Sequence, residues 1–187
     1  MSQQQHPKSR YECSPDLVNS AAIRFDGHVS ALILDFDGVF TDNKVIVTDE
    51  GREAVVCDRS DGYAIGLLKR TGLPILVLST EKVPIVRFRS QKLGLECMHG
   101  VEDKASALST WLAAHNIAAE QTVYVGNDIN DVECMQMVGH PVAPADAFPE
   151  AIAVARYVLA ACGGHGAVRE VALALVQHVQ RTEPSVK

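Results

Sequence analysis

Short apolar runs closed by a glycine or an acid, each followed by a stretch with helical spacing, recur along this chain. The first is ALIL in ALILDFDGVFTD (residues 31–42); PILVLS (74–79), LECMHG (95–100), TVYVGND (122–128), residues 141–143 and YVLA (157–160) repeat the pattern. Continuous apolar runs bounded by turn residues read as strands buried on both faces, which is the habit of a parallel sheet. Between them, Ser60-Asp61 predict the cap of a helix over GYAIGLLKRT that stops at Gly72, and residues 84–93 a second helix ended by Gly94. Asp103 caps a third over residues 104–115, with Ala105, Leu108, Trp111 and Leu112 on one face. Further helices are expected over 131–137, over 149–156 opened by Pro149, and from the Gly163-Gly164-His165-Gly166 loop to about Arg181.

One segment breaks the alternation. KVIVTDEGREAVVCD (44–58) alternates apolar and polar residues around Asp49-Glu50-Gly51, a hairpin signal. Its Val45, Val47 and Val55 are expected to face an interior or a subunit interface, because a lone two-stranded ribbon is marginal. The whole predicts an α/β fold: a doubly wound, Rossmann-like parallel sheet with helices on both faces, one β-hairpin insertion and no cap domain. With no internal repeat or linker, residues 30–181 read as one domain. Residues 1–29 read as a partly disordered arm, with a short helix over 15–23, and 182–187 as a flexible tail.

Composition narrows the function. A chain of 187 residues supports a single sizeable core. A net charge of −6 without a basic stripe argues against a nucleic-acid partner. No apolar run approaches the roughly 20 residues that span a bilayer, so no membrane partner is expected. The first thirty residues lack the apolar centre of a signal peptide, which makes the cytoplasm the expected location. The five cysteines form no C-x-x-C; Cys57, Cys97 and Cys134 read as small core or interface residues in a reducing compartment. The seven histidines take no zinc-ligand spacing.

The chemistry collects just after predicted strand ends: Asp35 and Asp37, Ser79 with Thr80, Lys104, and Asn127-Asp128-Ile129-Asn130-Asp131. Strand ends of a doubly wound sheet line one edge, so these groups should converge. Paired carboxylates that close call for a cation, and carboxylates with a hydroxyl, an ammonium and amides equip a site for phosphoryl transfer with magnesium.

D-x-D-G-x-x-T, a strand ending in Ser/Thr, a lone lysine and a terminal G-x-D-x-x-D together resemble the haloacid dehalogenase superfamily of phosphatases. The resemblance implies Asp35 as nucleophile and Asp37 as general acid and then base. It implies Ser79 as a phosphoryl hydrogen-bond partner, and Lys104 as the balancing charge. Thr41, placed with the binding set, would orient Asp37 or buttress the turn. Magnesium would be held by Asp35, the Asp37 carbonyl and the last motif. There the family has an acid directly after the glycine and this chain has Asn127; Asn127 and Asp128 both stand as ligand candidates, with Asp131 a possible support.

D-G-Y-A-I at Asp61, G-x-x-x-K at Gly100, V-A-x-A-D-A at Val142 and G-G-H-G-A-V-R-E at Gly163 resemble the capless, tetrameric sugar-acid phosphatase branch of that superfamily, and the phosphatase-like carboxyl-terminal module of acylneuraminate cytidylyltransferases. The resemblance covers about residues 33–176. It implies a homotetramer assembled by the hairpins, a phosphorylated sugar acid as substrate, and a last segment reaching a neighbour's site with Arg169 as an anion contact. Octulosonate phosphatases usually read T-G-R after the second strand. Nonulosonate phosphatases read T-G-E-K with an arginine eight residues on, which Glu81 and Arg89 match. The expected substrate is therefore a nonulosonate (sialic-acid-type) 9-phosphate, with 3-deoxy-D-manno-octulosonate 8-phosphate or a non-catalytic oligomerisation module as alternatives. A phosphoryl-accepting receiver is a further class, disfavoured by its different motif order. Glu81, Arg89 and Lys92 equally describe a charged helix face, and Arg169 with Glu170 a surface pair.

Overall fold

The computed structural model describes residues 23–182. In chain order the elements are β1 (Ala31–Leu34), the short hairpin strands β2 (Ile46–Val47) and β3 (Glu53–Ala54), α1 (Arg59–Lys69), β4 (Ile75–Leu78), α2 (Ile85–Leu93), β5 (Glu96–Met98) and α3 (Lys104–Ala114). There follow β6 (Thr122–Val125), α4 (Val132–Met137), β7 (His140–Ala143), α5 (Pro149–Val154), β8 (Tyr157–Val158) and α6 (Ala167–Thr182). The main sheet runs β5-β4-β1-β6-β7-β8, every pair parallel, and β2 pairs with β3 alone as an antiparallel ribbon.

The apolar runs are strands because both faces of the sheet are covered. Leu32, Leu34, Val77, Val123 and Val125 pack against α1, α2 and α6, while the alternate residues Ala31, Ile33, Leu76, Leu78 and Tyr124 pack against α3, α4 and α5. The doubly wound architecture expected from the pattern is the one found, and only the hairpin separates β1 from α1. Cys57, Cys97 and Cys134 are free thiols, Cys134 buried and the other two half-buried. Among the described residues no helix is long and apolar enough to cross a membrane.

Three details differ from the sequence reading. Helix α1 is capped by Asp58, whose carboxylate accepts the Ser60 N–H at 2.7 Å, rather than by Ser60-Asp61. Asp61 lies inside the first turn, fully buried, and accepts the Arg169 N–H in the first turn of α6 at 2.9 Å. Residues 23–29, assigned to the arm, are part of the packing. Phe25 and Val29 are buried, with Phe25 set edge-on against His140, Tyr157 and His178. Asp26 binds Arg156 at 2.6 Å and the Tyr157 hydroxyl at 2.7 Å. Of the helix expected over 15–23 only Ile23 is described, and it is not helical; the rest lies outside the described residues.

Candidate active site

The strand order reverses at β1, with β4 on one side and β6 on the other, so crossovers leave in opposite directions and a crevice opens at their carboxyl ends. Asp35 still belongs to the ladder, donating its N–H to Val125 O at 2.9 Å. The chain then turns sharply, with Gly38 at φ +78°. Thr41, fully buried, knots the turn. Its Oγ1 accepts the N–H groups of Gly38 and Asn43, each at 3.2 Å, and donates to Asp37 Oδ1 at 3.2 Å.

Lys104 enters from the start of α3, against the helix dipole, and the local reason is charge. Its buried ammonium lies 2.6 Å from Asp35 Oδ1 and 2.7 Å from Asp131 Oδ1. Asp131 Oδ1 also accepts the Tyr124 hydroxyl at 2.7 Å, and its Oδ2 accepts the N–H of Asn127 at 2.9 Å. Burial works against the charge on Lys104, but Asp35 and Asp131 outweigh it and raise its pKa. Burial first, and then the charge of Asp131, raise the Asp35 carboxyl against the pull of Lys104. Burial also raises Asp37, with the Thr41 hydroxyl opposing. Two carboxylates sharing one ammonium leave an uncompensated negative charge, which a cation would balance.

The donor set for such a cation lies next to it. The Asn127 side-chain amide is 3.2 Å from Asp35 Oδ2 and 2.9 Å from the main-chain oxygen of Asp37. With its NH2 turned inward it donates to both; with Oδ1 turned inward, three oxygens converge as hard ligands suited to magnesium. Among the described residues no cluster of three His, Cys, Asp or Glu side chains could hold a metal, so a carboxylate, a carbonyl and an amide form the set that fits. Asp128 engages Oδ1 in accepting the Ile129 N–H at 2.7 Å, as the cap of a 3-10 turn.

A cavity of about 350 Å³ opens over these groups. Asp35, Asp37, Ser79, Glu81, Asn127 and Asp128 line the sheet edge, and Lys44, Val45, Glu53 and Val55 of the hairpin form the facing wall. Ser79 is buried, and its Oγ accepts the Glu81 N–H at 3.1 Å, leaving its own O–H to donate into the cavity. Glu81 folds back so that Oε1 accepts the N–H groups of Lys82 and Val83.

Three residues of the expected binding set are not brought to the cavity. Thr41 stands behind Asp37. Arg89 sends Nη2 to the carbonyl of Asp58 at 2.9 Å, because α2 presents that face to α1. The Arg169 guanidinium lies over the Tyr63 ring, 5.9 Å from its centroid. Within the chain the Gly163-to-Glu170 segment packs on the turn after β1, where Gly164 N–H donates to Val39 O at 3.1 Å, and α6 follows at once. Sequence reading missed Tyr124 and the hairpin wall. Tyr124 was signalled only by strand alternation pointing it at Asp131.

This geometry has counterparts. The haloacid dehalogenase-like hydrolase family matches residues 78–169. The 3-deoxy-D-manno-octulosonate 8-phosphate phosphatase of Escherichia coli K12 is 37% identical over 155 residues, 82% of each chain. This chain is a haloacid dehalogenase-like hydrolase. Among solved structures, the hydrolase resembles a HAD family hydrolase from Streptomyces avermitilis (TM-score 0.75, 44% identity, 77% of this chain and 88% of that one). It also resembles the Moraxella catarrhalis 3-deoxy-D-manno-octulosonate 8-phosphate phosphatase, solved with magnesium, phosphate and KDO (TM-score 0.78, 27% identity, 82% and 88%).

Proposed function

We propose that this hydrolase is a magnesium-dependent phosphatase that releases phosphate from a phosphorylated sugar acid, with 3-deoxy-D-manno-octulosonate 8-phosphate as its first candidate. The observation that carries the reading is Asp35, braced by Lys104 on one oxygen and flanked by the Asp37 carbonyl and Asn127 amide on the other. Asp35 attacks phosphorus and the ester oxygen departs, leaving an aspartyl-phosphate. Asp37, with its carboxyl raised by burial and aimed by Thr41, protonates the departing alkoxide and then takes a proton from the water that cleaves the acyl phosphate. The Ser79 hydroxyl and Lys104 stabilise charge on the phosphoryl oxygens. Asp35, the Asp37 carbonyl and Asn127 would hold magnesium, which supplies Lewis-acid neutralisation of phosphate charge.

The octulosonate assignment is supported by the Escherichia coli relative. A nonulosonate 9-phosphate is the second reading, favoured by Glu81 in the cavity wall; the arginine expected to accompany it, Arg89, faces α1. The reading includes a cytoplasmic homotetramer. Its support is the hairpin, where Val45, Ile46 and Val47 are 50%, 59% and 61% exposed on a ribbon too small to be stable by itself.

The test is phosphate release from a panel of octulosonate, nonulosonate and hexose phosphates, with and without chelator. Turnover of a sugar-acid phosphate that stops with chelator, returns with magnesium and vanishes in Asp35→Asn is expected. Asp35→Asn turning over at the wild-type rate would refute the nucleophile, and a hexose phosphate preferred over both acids would refute the substrate class.

A further inference from the structure

The Gly163–Gly164 step packs directly against the backbone of the active-site turn. A Cβ on Gly163 would collide with the main-chain oxygen of Gly38 and lie 2.8 Å from that of Thr41. A Cβ on Gly164 would lie 2.5 Å from Asp42 N, and Gly164 sits at φ +69°. These contacts fall on Gly38, Thr41 and Asp42 of the turn that follows Asp37, so residues 163–164 buttress the turn that carries Asp37.

The step is fixed by carboxylates from separate elements. Asp146, on the loop after β7, accepts the Gly163 N–H at 2.9 Å. Glu170 of α6 accepts the N–H groups of Ala160 and Ala161 at 3.1 and 2.8 Å. Asp61 of α1 accepts the Arg169 N–H at 2.9 Å. These bonds fix the segment between β8 and α6 at both ends, and Gly164 N–H joins it to the turn at Val39 O, 3.1 Å away. Thr41 alone would hold Asp37 by a single 3.2 Å bond to a half-buried side chain.

We propose that Gly163 and Gly164, clamped by Asp146, are positioning residues for Asp37: the segment is a strap that sets its proton-transfer geometry from behind the turn. The inference rests on the acid–base role given to Asp37 above. A side chain at 163 lifts the strap or pushes the Gly38 peptide. A displacement of about 1 Å at a proton-transfer group costs on the order of a hundredfold in rate.

The experiment compares wild type, Gly163→Ala, Asp146→Ala and Asp146→Asn at saturating magnesium, on the sugar-acid phosphate and on p-nitrophenyl phosphate. The nitrophenolate departs without a proton, so its first, single-turnover release bypasses the acid. Gly163→Ala and Asp146→Ala should lose about thirty- to a hundredfold in kcat on the alkyl ester, with KM within about twofold and single-turnover nitrophenolate release within about threefold of wild type. Asp146→Asn keeps an acceptor oxygen for the Gly163 N–H and should restore most of the rate. If Gly163→Ala fails to fold, the Asp146 pair carries the test alone. Wild-type kcat in the alanine variants, equal losses on both esters, or no rescue by Asp146→Asn overturns the proposal. Failure of the wild type to release phosphate at all strikes instead at the parent reading.

Discussion

Asp131 stands behind the cavity wall, bonded to Asn127 of its lining, and should control both stability and metal binding. Its two oxygens accept from Lys104 and Tyr124 on one side and from the Asn127 N–H on the other. In Asp131→Asn only one oxygen remains, so the new NH2 must face either the ammonium and hydroxyl or the buried N–H. Losing a charge-assisted bond to Lys104 costs roughly 1.5–3 kcal/mol, and a stranded buried N–H about 1–3 kcal/mol. Only one of the two applies in a given orientation and Lys104 keeps its pair with Asp35, so the expected loss is roughly 1–3 kcal/mol. For a chain of this size that lowers Tm by roughly 2–12 °C, read by thermal unfolding in chelator. Because Asp131 also fixes the main chain from which the Asn127 amide projects, the magnesium midpoint for phosphate release should rise about ten- to a hundredfold. A Tm within 1 °C of wild type (about 0.5 kcal/mol or less) with an unmoved magnesium midpoint would refute the argument.

Asn127→Asp adds a carboxylate 3.2 Å from Asp35 Oδ2 and should tighten magnesium about tenfold while lowering stability in chelator; a weaker metal midpoint would contradict the assigned donor set. His140 and His178 are both buried around Phe25, and burial lowers both pKa values below 6.5. The unfolded chain therefore takes up protons first as pH falls through 6.5, and stability present above that pH is progressively lost below it. Urea titrations should show this acid limb, and a His140→Phe/His178→Phe variant should flatten it; an identical slope in the variant would exclude the pair as its source.

Most strands and helices were legible because each buried strand is a continuous apolar run and each helix carries a cap or stop, as at Asp103 and Gly94. Asp35, Asp37, Ser79, Asn127 and Asp128 were legible as site lining because sheet topology sends strand ends to one edge. What failed depends on side-chain direction. Ser60-Asp61 looks like a cap, but the extended backbone at Asp58 makes it the cap and frees Asp61 to hold α6. Arg89 sits at a plausible spacing from Glu81, yet the rotation of α2 turns it to the Asp58 carbonyl. The contact of Gly163 with Gly38 joins residues far apart in sequence, and no local pattern encodes it.

The charge around the cavity has a kinetic consequence. Asp35, Asp37, Glu53, Glu81 and Asp128 border it, and the cation in its lining among the described residues is Lys44, itself 3.1 Å from Asp42. A phosphate ester arriving as a dianion meets mostly like charge, a repulsion that weak ionic screening would not erase over a few ångströms. Such charge would favour loading the divalent ion before the ester, with the ion admitting the substrate as well as acting as a Lewis acid. Without it the ester would bind more weakly, and a higher ester concentration would be needed to fill the site.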